Sequence, residues 1–211
     1  MKKYDGLWEL NAIQEKELWA NNLVKVSVND ITKTLPSYMK SDMIYSDPPW
    51  SLGHENMFRK FAGKNYHENF NQFYESLFKH IKDIDPRVCY LEIGKQNLAL
   101  FESKLKNIFP FVQVWEIKYY NKYKCYLLRG GKDCAAYDFT NLDDTVTPEI
   151  AIKLEKPKCV ADLCTGRGIT AMAAISNNVK FVGTELIKEK LAVLLNKINK
   201  NNVYEKIKKI S

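Results

Sequence analysis

The feature that most constrains this chain is an alternation of two apolar periods. Residues 158–163 read as a short buried strand, and a glycine-containing turn follows. Residues 169–177 read as a helix and 181–185 as another strand. A helix over 188–200 then turns Leu191, Leu194, Leu195 and Ile198 to one side. Strands joined through helices must lie parallel, and a parallel sheet needs both faces covered. The alternation starts earlier. Strands are expected at 23–28, 42–46 and 88–93, and helices at 98–108 and around Phe70, Phe73, Tyr74, Leu77, Phe78 and Ile81, the latter ending before Pro86. Residues 32–39 read as a short helix or turn, and 51–64 as a loop with about one helical turn. Residues 111–120 and 124–129 pair as an antiparallel hairpin around Asn121-Lys122, after which Gly130-Gly131 breaks the pattern. Thr147-Pro148-Glu149 reads as an N-cap, a proline in the first helical position and an acid in the first turn, with the helix running to about residue 155. The expected class is α/β: a mostly parallel sheet with an antiparallel edge hairpin. Its 211 residues suffice for one sizeable core.

Composition narrows the class. Apolar residues make up 45% and charged residues 27%, the balance of a soluble globular protein. No run of eighteen apolar residues offers a spanning helix. Met1 to Asp5 lack the apolar stretch of a signal peptide, so a cytoplasmic protein is expected. Five cysteines (Cys89, Cys125, Cys134, Cys159, Cys164) form no CxxC pair and lie apart from the three histidines, so neither a disulfide framework nor a metal site is expected. The net charge of +7 is compatible with a polyanionic partner, although many lysines fall in 188–209, where a solvated helix face explains them equally well.

Two constellations carry chemistry. Asp47-Pro48-Pro49-Trp50 ends the strand 42–46. Two prolines stiffen the turn, the acid accepts hydrogen bonds and the indole offers a π-face, a combination suited to a flat ring bearing an amine. Asp162-Leu163-Cys164-Thr165-Gly166-Arg167-Gly168 links a strand to a helix, where glycines permit close approach and the helix presents free N–H groups. Glu185 ends the next strand, 17 residues after Gly168, where a carboxylate can accept both ribose hydroxyls. GxxxxGK[ST] is absent, and so is the third glycine of a dinucleotide fingerprint. A nucleoside cofactor without a pyrophosphate therefore fits better.

Together these motifs resemble the S-adenosylmethionine-dependent DNA amino-methyltransferases, the N6-adenine and N4-cytosine class. The tetrapeptide precedes the glycines, which resembles that family's circularly permuted β-type order, with a Rossmann-like fold. The resemblance spans about Val24 to Ile198 and implies one methyltransferase domain over 1–211, with a catalytic half at 24–130 and a cofactor half at 147–200. It implies S-adenosylmethionine as cofactor and DNA as partner. Asp47, Pro48, Pro49 and Trp50 would hold the base. Asp30 would meet the cofactor's adenine end, Glu185 its ribose, and Thr147 and Pro148 its methionine part. Asp162, Cys164, Gly166 and Gly168 would line the turn. Aspartate at the first position favours adenine over cytosine. RNA adenosine is an alternative acceptor, because the tetrapeptide with Trp also resembles that of messenger-RNA adenosine methyltransferases, and a silent nucleic-acid-binding subunit is an alternative of another class.

The chain departs from the family in three ways, one being Arg167 between the two glycines, for which a solvated side chain is the plain reading. Cys164 and Thr165 stand where Pro and Phe are common. Only seventeen residues separate Arg129 from Thr147, too few for the usual target-recognition insertion. Sequence choice then falls to residues 51–66, to the 119–123 turn, or to a homodimer or hetero-partner. His54, Arg59, Lys60, Lys64, Lys118, Lys122 and Lys124 are the candidate phosphate contacts, with plain solubility as the competing reading. Asp30 and Thr147 have ordinary capping as theirs.

Overall fold

The computed structural model describes Leu7 and residues 12–210. The N-terminal segment used above to argue against a signal peptide lies outside them. The strands are β1 (Leu18–Ala20), β2 (Val24–Val28), β3 (Met43–Ser46), β4 (Val88–Ile93), β5 (Phe111–Tyr119), β6 (Tyr123–Gly131), β7 (Cys159–Asp162), β8 (Lys180–Glu185) and β9 (Lys208–Ile210). The helices are α1 (Leu52–Phe61), α2 (Asn71–Ile84), α3 (Leu98–Lys106), α4 (Thr147–Glu155), α5 (Ile169–Ser176) and α6 (Lys188–Lys200).

Among the described residues nine strands join one sheet in the order β5-β6-β4-β3-β7-β8-β2-β1-β9. The central five, β4-β3-β7-β8-β2, are parallel. Their side chains alternate between two apolar layers: Met43 and Tyr45 enter one and Ile44 the other. The first layer is closed by α4, α5 and α6 through residues such as Ala151, Ala174 and Leu194; the second by α2 and α3 through Leu77, Ile81 and Phe101. The leucine, isoleucine and phenylalanine side chains among them each contribute about 1.5–3 kcal/mol when fully buried. The neighbours β3 and β7 are where the connections diverge, β3 leading toward β4 and β7 toward β8. A parallel sheet opens a crevice at the carboxyl ends of such a pair. Asp47 follows β3 and Asp162 ends β7, so the two sequence motifs meet there. Among the described residues no helix is long and apolar enough to cross a membrane.

Four local expectations are corrected. Residues 52–61 form the ten-residue helix α1 rather than a loop. Ser51 caps it by accepting from the His54 N–H, but its buried residues are Glu55 and Arg59, a polar pair that no apolar period reports. Gly130 and Gly131 continue β6 instead of ending it; a Cβ on Gly130 would stand 2.4 Å from the Phe109 ring, so the glycine lets the strand pass that ring. Thr147 is the first residue of α4, not its cap, and Val146 occupies the cap without a side-chain bond. The edge hairpin β5–β6 is antiparallel as expected, but the other edge is antiparallel too. There β9 pairs with β1 and β1 with β2, through three-residue strands too short to show a period.

Candidate active site

Asp47 stands at the crevice with its carboxylate exposed to the cleft. Trp50 Nε1 donates to Asp47 Oδ1 at 2.9 Å, so the tetrapeptide folds back on itself and fixes acid and indole together. The indole is further held by Asn97 Nδ2, which donates to the Trp50 carbonyl at 2.7 Å, and by an edge contact with Tyr119 at 4.9 Å between centroids. Behind it lies Gly94, whose missing Cβ makes room for the ring.

Protein crowding around the cleft pushes the Asp47 carboxyl up to about 7, and repulsion from Asp144 adds to that rise; the Trp50 hydrogen bond and the charge of Lys190 oppose it. Water reaching Asp47 through the cleft mouth moderates the effect. Beneath it Glu92 is sealed. Burial and the Asp47 charge push it well above the usual carboxylate range, although its Oε1 accepts from Tyr45 Oη and Thr147 Oγ1, which opposes the rise. Asp162 is fully enclosed and is pushed up to about 7 mainly by burial, while accepting from Ser46 Oγ at 2.8 Å and the Cys164 N–H at 2.9 Å.

Asp47, Pro49, Cys164, Glu185 and Asp30 line one cleft with Asn29, Ile31, Glu55, Phe58, Arg59, Phe73, Leu163, Leu186 and Lys190. Gly166 and Gly168 take left-handed φ of 57° and 80°, which only glycine adopts without strain. A Cβ on Gly168 would meet Leu194 at 2.4 Å, whereas one on Gly166 would meet only the Cys164 carbonyl at 3.8 Å. Gly168 therefore serves packing and Gly166 keeps the turn open. Glu185 is buried; its Oε2 accepts from the Gly166 N–H at 2.7 Å and its Oε1 from the Ile187 N–H at 2.8 Å. Each oxygen keeps a lone pair for a further donor. Burial holds the Cys164 thiol well above its usual range, which disfavours the nucleophilic thiolate form.

Several predicted residues are placed differently. Arg59 is not a surface phosphate contact: it is 7% exposed, and its Nη1 pairs with Asp30 Oδ2 at 3.0 Å. Asp30 Oδ1 also accepts from the Thr32 N–H and hydroxyl. Burial pushes Asp30 up, but the Thr32 hydrogen bonds and the Arg59 charge outweigh it and hold the carboxyl below its usual range. Thr147 and Pro148 are buried in the first turn of α4 and do not line the cleft; Thr147 Oγ1 bonds Tyr45 Oη at 2.6 Å. Lys64 is tied to Glu15 and Lys124 to Glu116. His54, Lys60, Lys118 and Lys122 are exposed, His54 with its ring 6.2 Å from Trp50.

Sequence reasoning missed Glu55, Phe58 and Lys190. Glu55 Oε2 is buried and has no hydrogen-bond partner among the described residues, while Oε1 packs against His67 Nδ1. Burial pushes Glu55 up to about 7. Lys190 Nζ sits 3.7 Å from the centre of the Phe58 ring and contributes positive charge to the cleft. The spacing of Glu55 and Arg59, four residues apart, was the available signal for a shared helix face.

No family model and no curated protein matches the chain. Solved structures do. The crystal structure of the M1.HpyAVI-SAM complex aligns with a TM-score of 0.59 at 13% identity, covering 84% of this chain and 100% of that one. PvuII DNA methyltransferase (cytosine-N4-specific) aligns at 0.60 and 14% identity, covering 87% and 89%. TTHA0409, a putative DNA modification methylase from Thermus thermophilus complexed with S-adenosyl-L-methionine, aligns at 0.56 and 13% identity, covering 82% and 91%. The chain therefore has the Rossmann-like fold of these methyltransferases.

Proposed function

We propose that this protein is an S-adenosylmethionine-dependent DNA methyltransferase acting on the N6 amine of adenine. The carrying observation is that Asp47, fixed by Trp50, faces the same cleft as Cys164 and Glu185 at the crevice between β3 and β7. The fold neighbours, two of them complexed with that cofactor, support the cofactor and the methyltransferase class, and Asp47 at the first position of the tetrapeptide supports adenine.

The residues present suit such a cofactor. Gly166 leaves a turn with space for a ligand, and Glu185 retains acceptor capacity for ribose hydroxyls. When bound, S-adenosylmethionine supplies an electrophilic methyl group on a sulfonium. The remaining work falls to the chain. Asp47 accepts one amino hydrogen of the target and the Pro48 carbonyl the other, which aims the nitrogen lone pair at the methyl carbon. The amine would have to shed a proton on taking up the methyl group, and Asp47, whose raised pKa suits it to receive one, would accept that proton. A neighbouring sulfonium charge would favour ionised Asp47 before that step. Trp50 offers its face to the extruded base, a stacking contact of about 1–3 kcal/mol that offsets part of the cost of flipping.

N4-methylation of cytosine is retained as the second reading because one fold neighbour carries that specificity. Transfer of labelled methyl to mixed DNA, followed by nucleoside digestion, separates the two. Label in N6-methyl-2′-deoxyadenosine is expected; label in N4-methyl-2′-deoxycytidine would replace the adenine assignment, and equal or better transfer to RNA in a parallel assay, destroyed by ribonuclease, would replace DNA with RNA.

A further inference from the structure

We propose that the tip of the β5–β6 hairpin is a rigid stacking platform for the nucleobases that flank the target, with Tyr120 and Tyr123 as its contact rings. The inference rests on the reading that Asp47 to Trp50 hold the target base. β6 pairs with β4 only as far as Tyr126 opposite Ile93. The pairs Ile117–Cys125, Lys118–Lys124 and Tyr119–Tyr123 continue past that point. At the usual strand rise the hairpin projects about 10 Å beyond the carboxyl end of β4, on the edge where the cleft opens.

The tip is joined to the site by rings. Trp50 meets Tyr119 edge-on at 4.9 Å, and Tyr119 meets Tyr120 edge-on at 4.4 Å. Strain marks the turn. Tyr120 and Asn121 have φ of 50° and 53°, a conformation a tyrosine adopts only when its surroundings enforce it. The enforcement is visible: buried Asp144 Oδ1 accepts from the Tyr120 N–H at 2.9 Å, and buried Asp143 Oδ2 accepts from the Asn121 N–H. The Lys118 carbonyl accepts from the Asp144 N–H at 2.8 Å. The clamp presents Tyr120 and Tyr123 to solvent with 60% and 57% of their surface exposed, and Lys122 Nζ lies 5.0 Å over the Tyr123 ring. A preordered aromatic pair beside a cation is the pattern by which bases are stacked without sequence-reading bonds.

The test measures binding of a fluorescent oligonucleotide by anisotropy, cofactor binding by calorimetry and thermal melting, for the parent, Tyr120→Asn and Tyr123→Leu. Asparagine tolerates left-handed φ, so Tyr120→Asn should melt no lower than the parent and bind S-adenosylmethionine as the parent does. Loss of one stacked ring should weaken oligonucleotide binding about 5- to 150-fold, with the salt slope unchanged because no phosphate contact is removed. Variants that bind the oligonucleotide within twofold of the parent overturn the platform while leaving the methyltransferase reading intact. A loss that travels with lower melting or weaker cofactor binding also overturns it, because the rings would then be structural. A parent that binds cofactor yet no oligonucleotide overturns platform and function together.

Discussion

Gly94→Ala perturbs the site without altering any group that touches substrate. Gly94 has φ of −74°, so alanine fits the backbone. Its Cβ, however, would lie 2.9 Å from Trp50 Cε3 and 3.3 Å from Cδ2. Restoring ordinary contact requires the indole to retreat by about half an ångström. The ring also contacts Tyr119 edge-on and the Trp50 carbonyl is held by Asn97, so the indole tilts rather than slides. The 2.9 Å bond from Nε1 to Asp47 Oδ1 then lengthens toward the limit of a useful hydrogen bond. A misplacement of 1 Å can cost about 100-fold in rate, so half that distance predicts about tenfold, near 1.4 kcal/mol of barrier. Overpacking should lower stability by about 1–3 kcal/mol. The assay is initial-rate methyl transfer over a range of oligonucleotide concentrations, with calorimetry for the cofactor. A kcat about tenfold lower with cofactor affinity within twofold is expected, since Gly94 does not line the cleft. An unchanged kcat in a protein that melts lower would refute the claim that Trp50 placement sets Asp47 geometry.

Asp47→Asn should keep the Trp50 bond and cofactor binding while losing at least about 100-fold in transfer, read by radiolabel incorporation. In the parent, transfer should rise with pH as Asp47 ionises, with the midpoint above the ordinary carboxylate range but below about 7 because water and a neighbouring sulfonium favour the ionised form, and the pH–rate profile checks it. Asp162 has a folded pKa raised to about 7 from an ordinary 3.8, so the fold binds its proton more tightly than the unfolded chain. Its ionisation therefore erodes stability as pH rises through that window, and Asp162→Asn should gain on the parent in urea melts at pH 8 but not at pH 4. Arg59→Met leaves Asp30 charged and buried, and should lower stability by about 3–5 kcal/mol in denaturant titration. It should also leave the salt slope of oligonucleotide binding unchanged, whereas exposed Lys60→Ala should reduce that slope by about 1.

How far the sequence reaches can be judged from particular residues. Asp47 to Trp50, Asp162 to Gly168 and Glu185 were legible because each motif ends a strand, and apolar period plus chain order puts strand ends at one edge of a parallel sheet. The helix α1 was not legible, because its inward face is Glu55 and Arg59, and periodicity detects only apolar burial. The strands β1 and β9 were not either, since three residues carry no period and their partner lies about 190 positions away.

The sequence by itself determined the parallel α/β sheet, the antiparallel hairpin and the meeting of an acid–proline–aromatic turn with a glycine turn. These follow from local stereochemistry and from periods a few residues long. Only the tertiary structure decided the polar partnerships. Arg59 is drawn off the surface to neutralise Asp30, Thr147 seals against Tyr45 and Glu92 below the cleft, and Asp143 and Asp144 hold Tyr120 in a conformation its own backbone disfavours. Each of these joins groups from 22 to 102 positions apart or in a different layer, as the 29 positions between Asp30 and Arg59 illustrate. A buried charge takes whatever partner the fold brings within reach, and no local pattern encodes that choice.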